Sequence, residues 1–111
     1  MNIKQKLALI RVMLYFNAIL RKGKISKAAE ENGIKQGNLS HLITDFEKSS
    51  GILLLQRSNQ GVIPTPRGLK ISRLTEQLEQ SLRELEKAVH PEPRGSIKFC
   101  LAPDLNLKNL S

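Results

Sequence analysis

Ser26-Lys27-Ala28-Ala29-Glu30-Glu31-Asn32-Gly33-Ile34-Lys35-Gln36-Gly37-Asn38-Leu39-Ser40-His41-Leu42-Ile43-Thr44-Asp45-Phe46 is the stretch on which the fold turns. Ser26 has the chemistry of a helix N-cap, but Ala29 stands three residues on, with Glu30 and Glu31 after it, so there is no full capping box. A short helix over 27–32 follows, with the small Ala28 and Ala29 as its packing face. Gly33 ends it, and Ile34 is a buried turn residue. Gly37 or Asn38 then opens a second helix that runs to about Ser49. Leu39, Leu42, Ile43 and Phe46 recur at helical spacing and form its inward stripe. Asn38, His41, Thr44, Asp45 and Lys48 are left outward or at the edges, and Gly51 stops the helix.

Upstream, residues about 5–22 read as a helix. Leu9, Met13, Phe16 and Leu20 recur every three or four residues, and Leu7, Ile10 and Leu14 widen the face. Gly23 follows Arg21 and Lys22, two cations suited to a helix C-terminus. Downstream the period changes. Leu53-Leu54-Leu55 and Val62-Ile63 flank the polar Arg57-Ser58-Asn59-Gln60-Gly61, which signals a two-stranded hairpin. Pro64 and Pro66 stop the second strand, and Pro66 suits the first turn of a helix.

A long helix over 66–89 carries a heptad pattern. Ile71, Leu78 and Leu85 fall at one repeat position, Leu74, Ser81 and Ala88 at the other, and Leu82 and Val89 lie beside that seam. The pattern argues for pairing with another helix. Packing of the same helix on its own head is the alternative. Exposed pairs such as Glu79 and Arg83 suit a solvated helix and add little energy. Pro91 and Pro93 make a stiff linker. Residues 96–102 alternate like a strand, the expected first strand of a further domain. The expected organisation is a head over 1–65, a linker or dimerisation helix over 66–90, and a linker with a remnant strand over 91–111.

The 111 residues carry 18 Lys and Arg against 10 Asp and Glu, a formal net charge of +8. The charge is not spread evenly: residues 1–50 hold +5, 51–70 hold +3, 71–90 hold −1 and 91–111 hold +1. A basic head joined to a neutral arm points to an acidic polymer as partner. At 40% apolar residues the chain buries a modest core and no large substrate pocket. One cysteine, Cys100, forms no internal disulfide and supports no cysteine-based zinc finger, which fits a reducing cytoplasm. His41, His90 and Cys100 have no metal-ligand spacing. No acid–base pair or phosphate loop is visible, so the expectation is neither an enzyme nor a cofactor binder. With no Trp and four other aromatic residues, stacking on single strands is disfavoured. Arg11 and Asn17 interrupt the apolar run of residues 7–20, which is too short to span a bilayer, so no membrane partner is expected.

Three helices and a two-stranded wing with the charge on that head, followed by a long dimerisation helix, make a mainly α, winged helix-turn-helix plan. In that plan the helix over about 37–49 enters the major groove of duplex DNA, the short helix before it braces the backbone, and the wing lies along phosphates or in the minor groove. The residues also match a family. Phe16, then six residues on Gly23-Lys24-Ile25-Ser26-Lys27-Ala28-Ala29-Glu30, resembles the opening of LysR-type transcriptional regulators. The resemblance continues through Gln36, Leu39-Ser40, Ile43, Phe46-Glu47, Gly51, Leu54-Leu55, Arg57, Thr65 and Gly68 without a gap. It extends over the linker helix, and Arg94-Gly95-Ser96-Ile97 is similar to the entry into the family's effector-binding domain.

The resemblance implies a homodimer formed through the linker helices and a further pairing into tetramers. It implies Gln36, Asn38, Ser40 and His41 approaching bases, Ser26 and Lys27 on phosphates, and Arg57 in the wing. With the neighbouring polar residues, the candidate DNA-binding set is Ser26, Lys27, Gln36, Gly37, Asn38, Ser40, His41, Thr44, Arg57, Asn59, Gln60 and Arg67. The candidate dimerisation set is Ile71, Leu74, Leu78, Leu82, Leu85 and Val89.

Three departures stand out. Asn32 replaces a usual leucine and costs packing unless its amide is satisfied. His41 replaces a usual arginine; a shorter, mostly neutral ring weakens a phosphate or guanine contact. Pro64 replaces a leucine in the wing and removes a ladder donor. The family's large effector-binding domain does not follow within these residues. The first expectation is a sequence-specific, dimeric regulator; the second is an interaction protein that pairs through its linker helix with a full-length relative.

Overall fold

The computed structural model describes residues 1–90. The expected linker at Pro91 and Pro93, the strand at 96–102 and Cys100 lie outside the described residues. The chain divides into a first compact unit, Met1–Leu78, and a second that begins at Glu79. The elements run α1 (Ile3–Lys22), α2 (Ile25–Glu31), α3 (Gln36–Ser50), β1 (Leu55–Ser58), β2 (Gly61–Pro64) and α4 (Pro66–Val89). This is the winged helix-turn-helix expected from the sequence, with boundaries that differ for local reasons.

α1 starts two residues earlier than its apolar pattern. Asn2 Oδ1 accepts from the Gln5 N–H at 2.8 Å and Gln5 Oε1 accepts from the Asn2 N–H at 2.9 Å, a reciprocal capping box that the apolar period does not register. Gly23, at φ 77°, ends the helix as expected. α2 corrects the expected cap. Its N-cap is Lys24, in extended backbone, and Ser26 lies inside the first turn. The physical reason is Ile25, which is buried as the first helical residue and draws the helix start toward the core. Asn32 is the C-cap residue, and its Nδ2 donates to the Ala28 carbonyl at 2.8 Å. The substituted amide is therefore satisfied at an exposed helix end. α3 opens at Gln36, with Lys35 as N-cap, rather than at Gly37 or Asn38. It ends at Gly51, at φ 75°.

The core of the first unit gathers Phe16, Ile19, Leu39, Ile43 and Leu54, all fully buried, with Val12, Met13, Ile25, Ala28, Ala29 and Leu55 around them. Each such fully buried large side chain contributes roughly 1.5–3 kcal/mol. Leu42 and Phe46, the rest of the expected α3 stripe, are half-buried against this cluster.

The hairpin is antiparallel, with Leu55 opposite Pro64, Arg57 opposite Val62 and Ser58 opposite Gly61. It is shorter than the leucine run suggests: Leu53 and Leu54 precede the strand. The cause is Glu47, whose Oε2 accepts from the Leu54 N–H at 2.7 Å and the Leu55 N–H at 3.1 Å. Leu54 is thereby fixed as a core residue before pairing begins. Pro64 does not stop β2 from outside; it is its last residue, on the end rung, where a missing N–H disturbs no interior pair. Gly61 has φ 131°, and a Cβ there would strike the Gly23 carbonyl oxygen. Beside it the Val62 N–H donates to that same oxygen at 3.0 Å, so the wing is tied to the α1–α2 turn.

Thr65 links the wing to α4. Its Oγ1 donates to the Leu53 carbonyl at 2.6 Å and accepts from the Gly68 N–H at 2.9 Å, capping the helix start. Within the first unit, Gly68, Ser72 and Thr75 are the buried residues of α4. A Cβ at Gly68 would collide with the Leu54 carbonyl oxygen. Asn17, buried in α1, donates from Nδ2 to the Ser72 carbonyl at 3.2 Å. Packing of the helix on its own head therefore holds for the start of α4, through small residues. Ile71 joins it, half-buried against the core. In the second unit, Gln80–Val89 are all exposed.

Candidate nucleic-acid interface

α3 presents one face to the core and the other to solvent. Leu39 and Ile43 fix the inner face, so helical spacing puts Gly37, Asn38 and His41 outside, with Ser40 and Thr44 at the edge; Gln36, in line with Leu39 and Ile43, is exposed because it opens the helix. Lys35 caps α3 with no side-chain bond. The first N–H groups of the helix are therefore donors for water or for an anion.

Arg57 joins the wing to this face. Its Nη1 donates to Ser40 Oγ at 2.8 Å and its Nη2 to Thr44 Oγ1 at 3.2 Å. The geometry has a clear origin. The Glu47 carboxylate holds the backbone at Leu54 and Leu55, and the pairing of Arg57 with Val62 sets the direction of the side chain. A guanidinium beside two hydroxyls offers a row of donors, the pattern that phosphate oxygens and base edges accept.

His41 and Asp45 form a second feature of the α3 surface. His41 Nε2 lies 3.1 Å from Asp45 Oδ2, and both side chains are largely exposed, at 75% and 59%. At the hairpin tip Asn59 and Gln60 are exposed; the Gln60 N–H donates to Ser58 Oγ at 3.2 Å, and Ser58 Oγ donates to the Gly61 carbonyl at 3.3 Å. Ser26 and Lys27 are exposed on α2, and Arg67 is exposed in the first turn of α4. Direct bonds thus bring together Ser40, Thr44 and Arg57 from the expected set. Ser26, Lys27, Asn59, Gln60 and Arg67 are exposed but share no bond with α3 among the described residues.

Two residues outside the expected set shape the candidate surface. Glu47 holds the wing to α3, and Asp45 holds His41. The i, i+4 spacing of His41 and Asp45 was the available signal for the second. For the first, the only signal was an acidic residue inside the quoted Phe46-Glu47 motif. Three of the four acidic residues of the first 70 are engaged locally: Glu31 with Lys22 at 3.1 Å, Asp45 with His41, and Glu47 with the backbone. Lys22 is accordingly paired, while Lys24, Lys27 and Lys35 are exposed without a counter-charge among the described residues. No group of three or more His, Cys, Asp or Glu that could hold a metal ion occurs among the described residues, and no described helix is long and apolar enough to cross a membrane.

On α4, Leu74 of the first unit is 57% exposed, and Leu78 is half-buried. Leu82, Leu85 and Val89 of the second unit are exposed, Leu85 to 61%.

Comparison with known proteins gives the family and the fold. The family model described as bacterial regulatory helix-turn-helix protein, lysR family, matches residues 10–69. The HTH-type transcriptional regulator YofA of Bacillus velezensis is 33% identical over 86 residues, 76% of this chain and 30% of that protein. The RuBisCO operon transcriptional regulator of Allochromatium vinosum is 28% identical over 100 residues, 87% of this chain and 33% of that protein. The chain spans about a third of the length of these curated relatives. Among solved structures, the complex of BenM_DBD with catB site 1 DNA superposes with a TM-score of 0.68 at 28% identity, covering 78% of this chain and 96% of that one.

Proposed function

The chain belongs to the LysR family of bacterial regulatory helix-turn-helix proteins, a family of DNA-binding transcriptional regulators, and from that premise we propose that it reads duplex DNA sequence-specifically as a dimer. α3 lies in the major groove, with Gln36, Gly37, Asn38, Ser40, His41 and Thr44 toward the bases. Ser26 and Lys27 lie on phosphates, and the wing, with Arg57, Asn59 and Gln60, follows the backbone into the minor groove. Arg67 adds a phosphate contact at the start of α4. Ile71, Leu74, Leu78, Leu82, Leu85 and Val89 supply the seam for a second copy, and the dimers pair further into tetramers. The head over 1–65, the helix over 66–90 and the residues over 91–111 act as reader, dimerisation arm and connector.

The observation that carries this reading is the Arg57 bridge to Ser40 and Thr44, which makes the wing and the outer face of α3 one polar surface on a basic head. The test is fluorescence anisotropy across a salt series, on the duplex upstream of the protein's own gene and on a scrambled duplex. The expected result is tighter binding to the native duplex that persists at physiological salt, with affinity falling steeply as salt rises because several phosphates are neutralised. Equal and weak binding to both duplexes would contradict autonomous sequence reading. It would favour pairing of α4 with a full-length relative.

A further inference from the structure

We infer that His41 and Asp45 act together as a hydrogen-bond acceptor in the major groove and select an amino-bearing base, adenine or cytosine, over guanine. The inference rests on the proposed placement of α3 in the groove. A carboxylate has no proton to give, so the 3.1 Å contact requires that His41 Nε2 carry the proton and donate to Asp45 Oδ2. In the neutral ring Nδ1 is then an acceptor, and it has no protein partner among the described residues. The second oxygen of Asp45 is an acceptor as well. The pair therefore offers acceptors to whatever faces it.

The DNA side decides what that means. In the major groove guanine presents only the acceptors N7 and O6, and thymine presents O4 and a methyl group. Adenine and cytosine present an N6 or N4 amino donor. Docking strips water from a carboxylate that is 59% exposed in the free protein, and a desolvated carboxylate facing further acceptors is costly. Amino groups of adenine or cytosine are the donors at the floor of the groove that relieve this cost. Nearby, Arg57 is held on Ser40 and Thr44, so in the structure its guanidinium is directed to those hydroxyls. An arginine in place of His41 would present donors and favour guanine instead; the histidine–aspartate pair reverses the polarity of that point of the surface.

The experiment is selection from a random duplex library at pH 8 with the full 111-residue chain, with Asp45→Ala and with His41→Arg. Both substitutions lie at exposed positions, and thermal melting checks that each variant folds as the parent does. The parent should enrich one base pair in one orientation at one fixed position, with the amino group of adenine or cytosine on the strand that His41 and Asp45 face. Asp45→Ala should relax the preference at that position about tenfold, the weight of one good base contact, and leave the flanking bases unchanged. His41→Arg should reverse the preference, placing guanine on the strand where the parent places adenine or cytosine. A parent with no preferred orientation of the base pair at any position that Asp45→Ala or His41→Arg alters, or an Asp45→Ala motif identical to the parent's at every position, would overturn the inference while leaving the proposed function intact. A parent that enriches no motif would overturn the proposed function and this inference with it.

Discussion

The two parts of α4 obey different rules. From Pro66 to Leu78 the buried residues are small or polar (Gly68, Ser72 and Thr75), while Leu69 and Leu74 are exposed. From Gln80 to Val89 every residue is exposed, including Leu82, Leu85 and Val89. Burial in the first part comes from close backbone approach, with Gly68 against the Leu54 carbonyl and the Ser72 carbonyl accepting from Asn17. The leucines of the second part, Leu82 and Leu85, are exposed among the described residues. Apolar periodicity along the helix thus does not mark the residues it buries: of the pattern, Ile71 and Leu78 are half-buried, and Leu74, Leu82 and Leu85 are exposed. The face that meets the head is a stripe of small side chains at i, i+4 and i+7.

The sharpest way to break this contrast is to fill the small-residue stripe. Gly68→Val forces a branched side chain into the Leu54 carbonyl, and overpacking of this kind costs about 3 kcal/mol. A thermal midpoint lowered by roughly 10–20 °C is expected for a domain of this size, followed by circular dichroism. An unchanged midpoint would mean that α4 does not rest on the head.

Substituting both Leu82 and Leu85 by Asp should act in the opposite manner. Self-association should weaken by about a hundredfold or more, since each leucine is removed from both copies, while the melting of the head at a concentration that favours monomer stays where it was. Sedimentation equilibrium reads the first quantity and circular dichroism the second. A head that unfolds in this variant would assign those leucines to intrachain packing.

Arg57→Ala should leave the fold intact and weaken DNA binding about tenfold, with a shallower dependence on salt. Anisotropy checks it, and unchanged affinity for the site would remove the wing from the interface. The smallest effect is expected at Asn32→Ala, which loses the bond to the Ala28 carbonyl at an exposed helix end. About 0.5–1 kcal/mol of stability should be lost, with DNA affinity unchanged.

The helices of the head and the wing were legible because Leu9, Met13, Phe16 and Leu20, and separately Leu39, Leu42, Ile43 and Phe46, recur at helical spacing and because Pro64 and Pro66 punctuate the chain. What was not legible has a common cause. Ser26 has the side chain of a cap, yet the burial of Ile25 sets the helix start one residue before it. The capping box of Asn2 and Gln5 carries no apolar signal. Glu47 acts on the backbone of residues seven and eight positions later, and no local period encodes that distance. The placement of Arg57 across the wing from Ser40 and Thr44 was likewise a tertiary fact, visible only once β1 had its register. Small residues at 68, 72 and 75 gave no hydrophobic stripe, so the intrachain face of α4 went unread beside the leucines.

Sedimentation velocity of the protein with a fluorescently labelled duplex carrying its site tests the central claim most directly, because it reports binding and copy number together. The account predicts that the labelled duplex sediments with an even number of protomers, two at the lowest saturating concentration, and that the Leu82 and Leu85 double variant cannot form that complex at the same concentration. A saturated complex with a single protomer, formed equally well by the double variant, would contradict it.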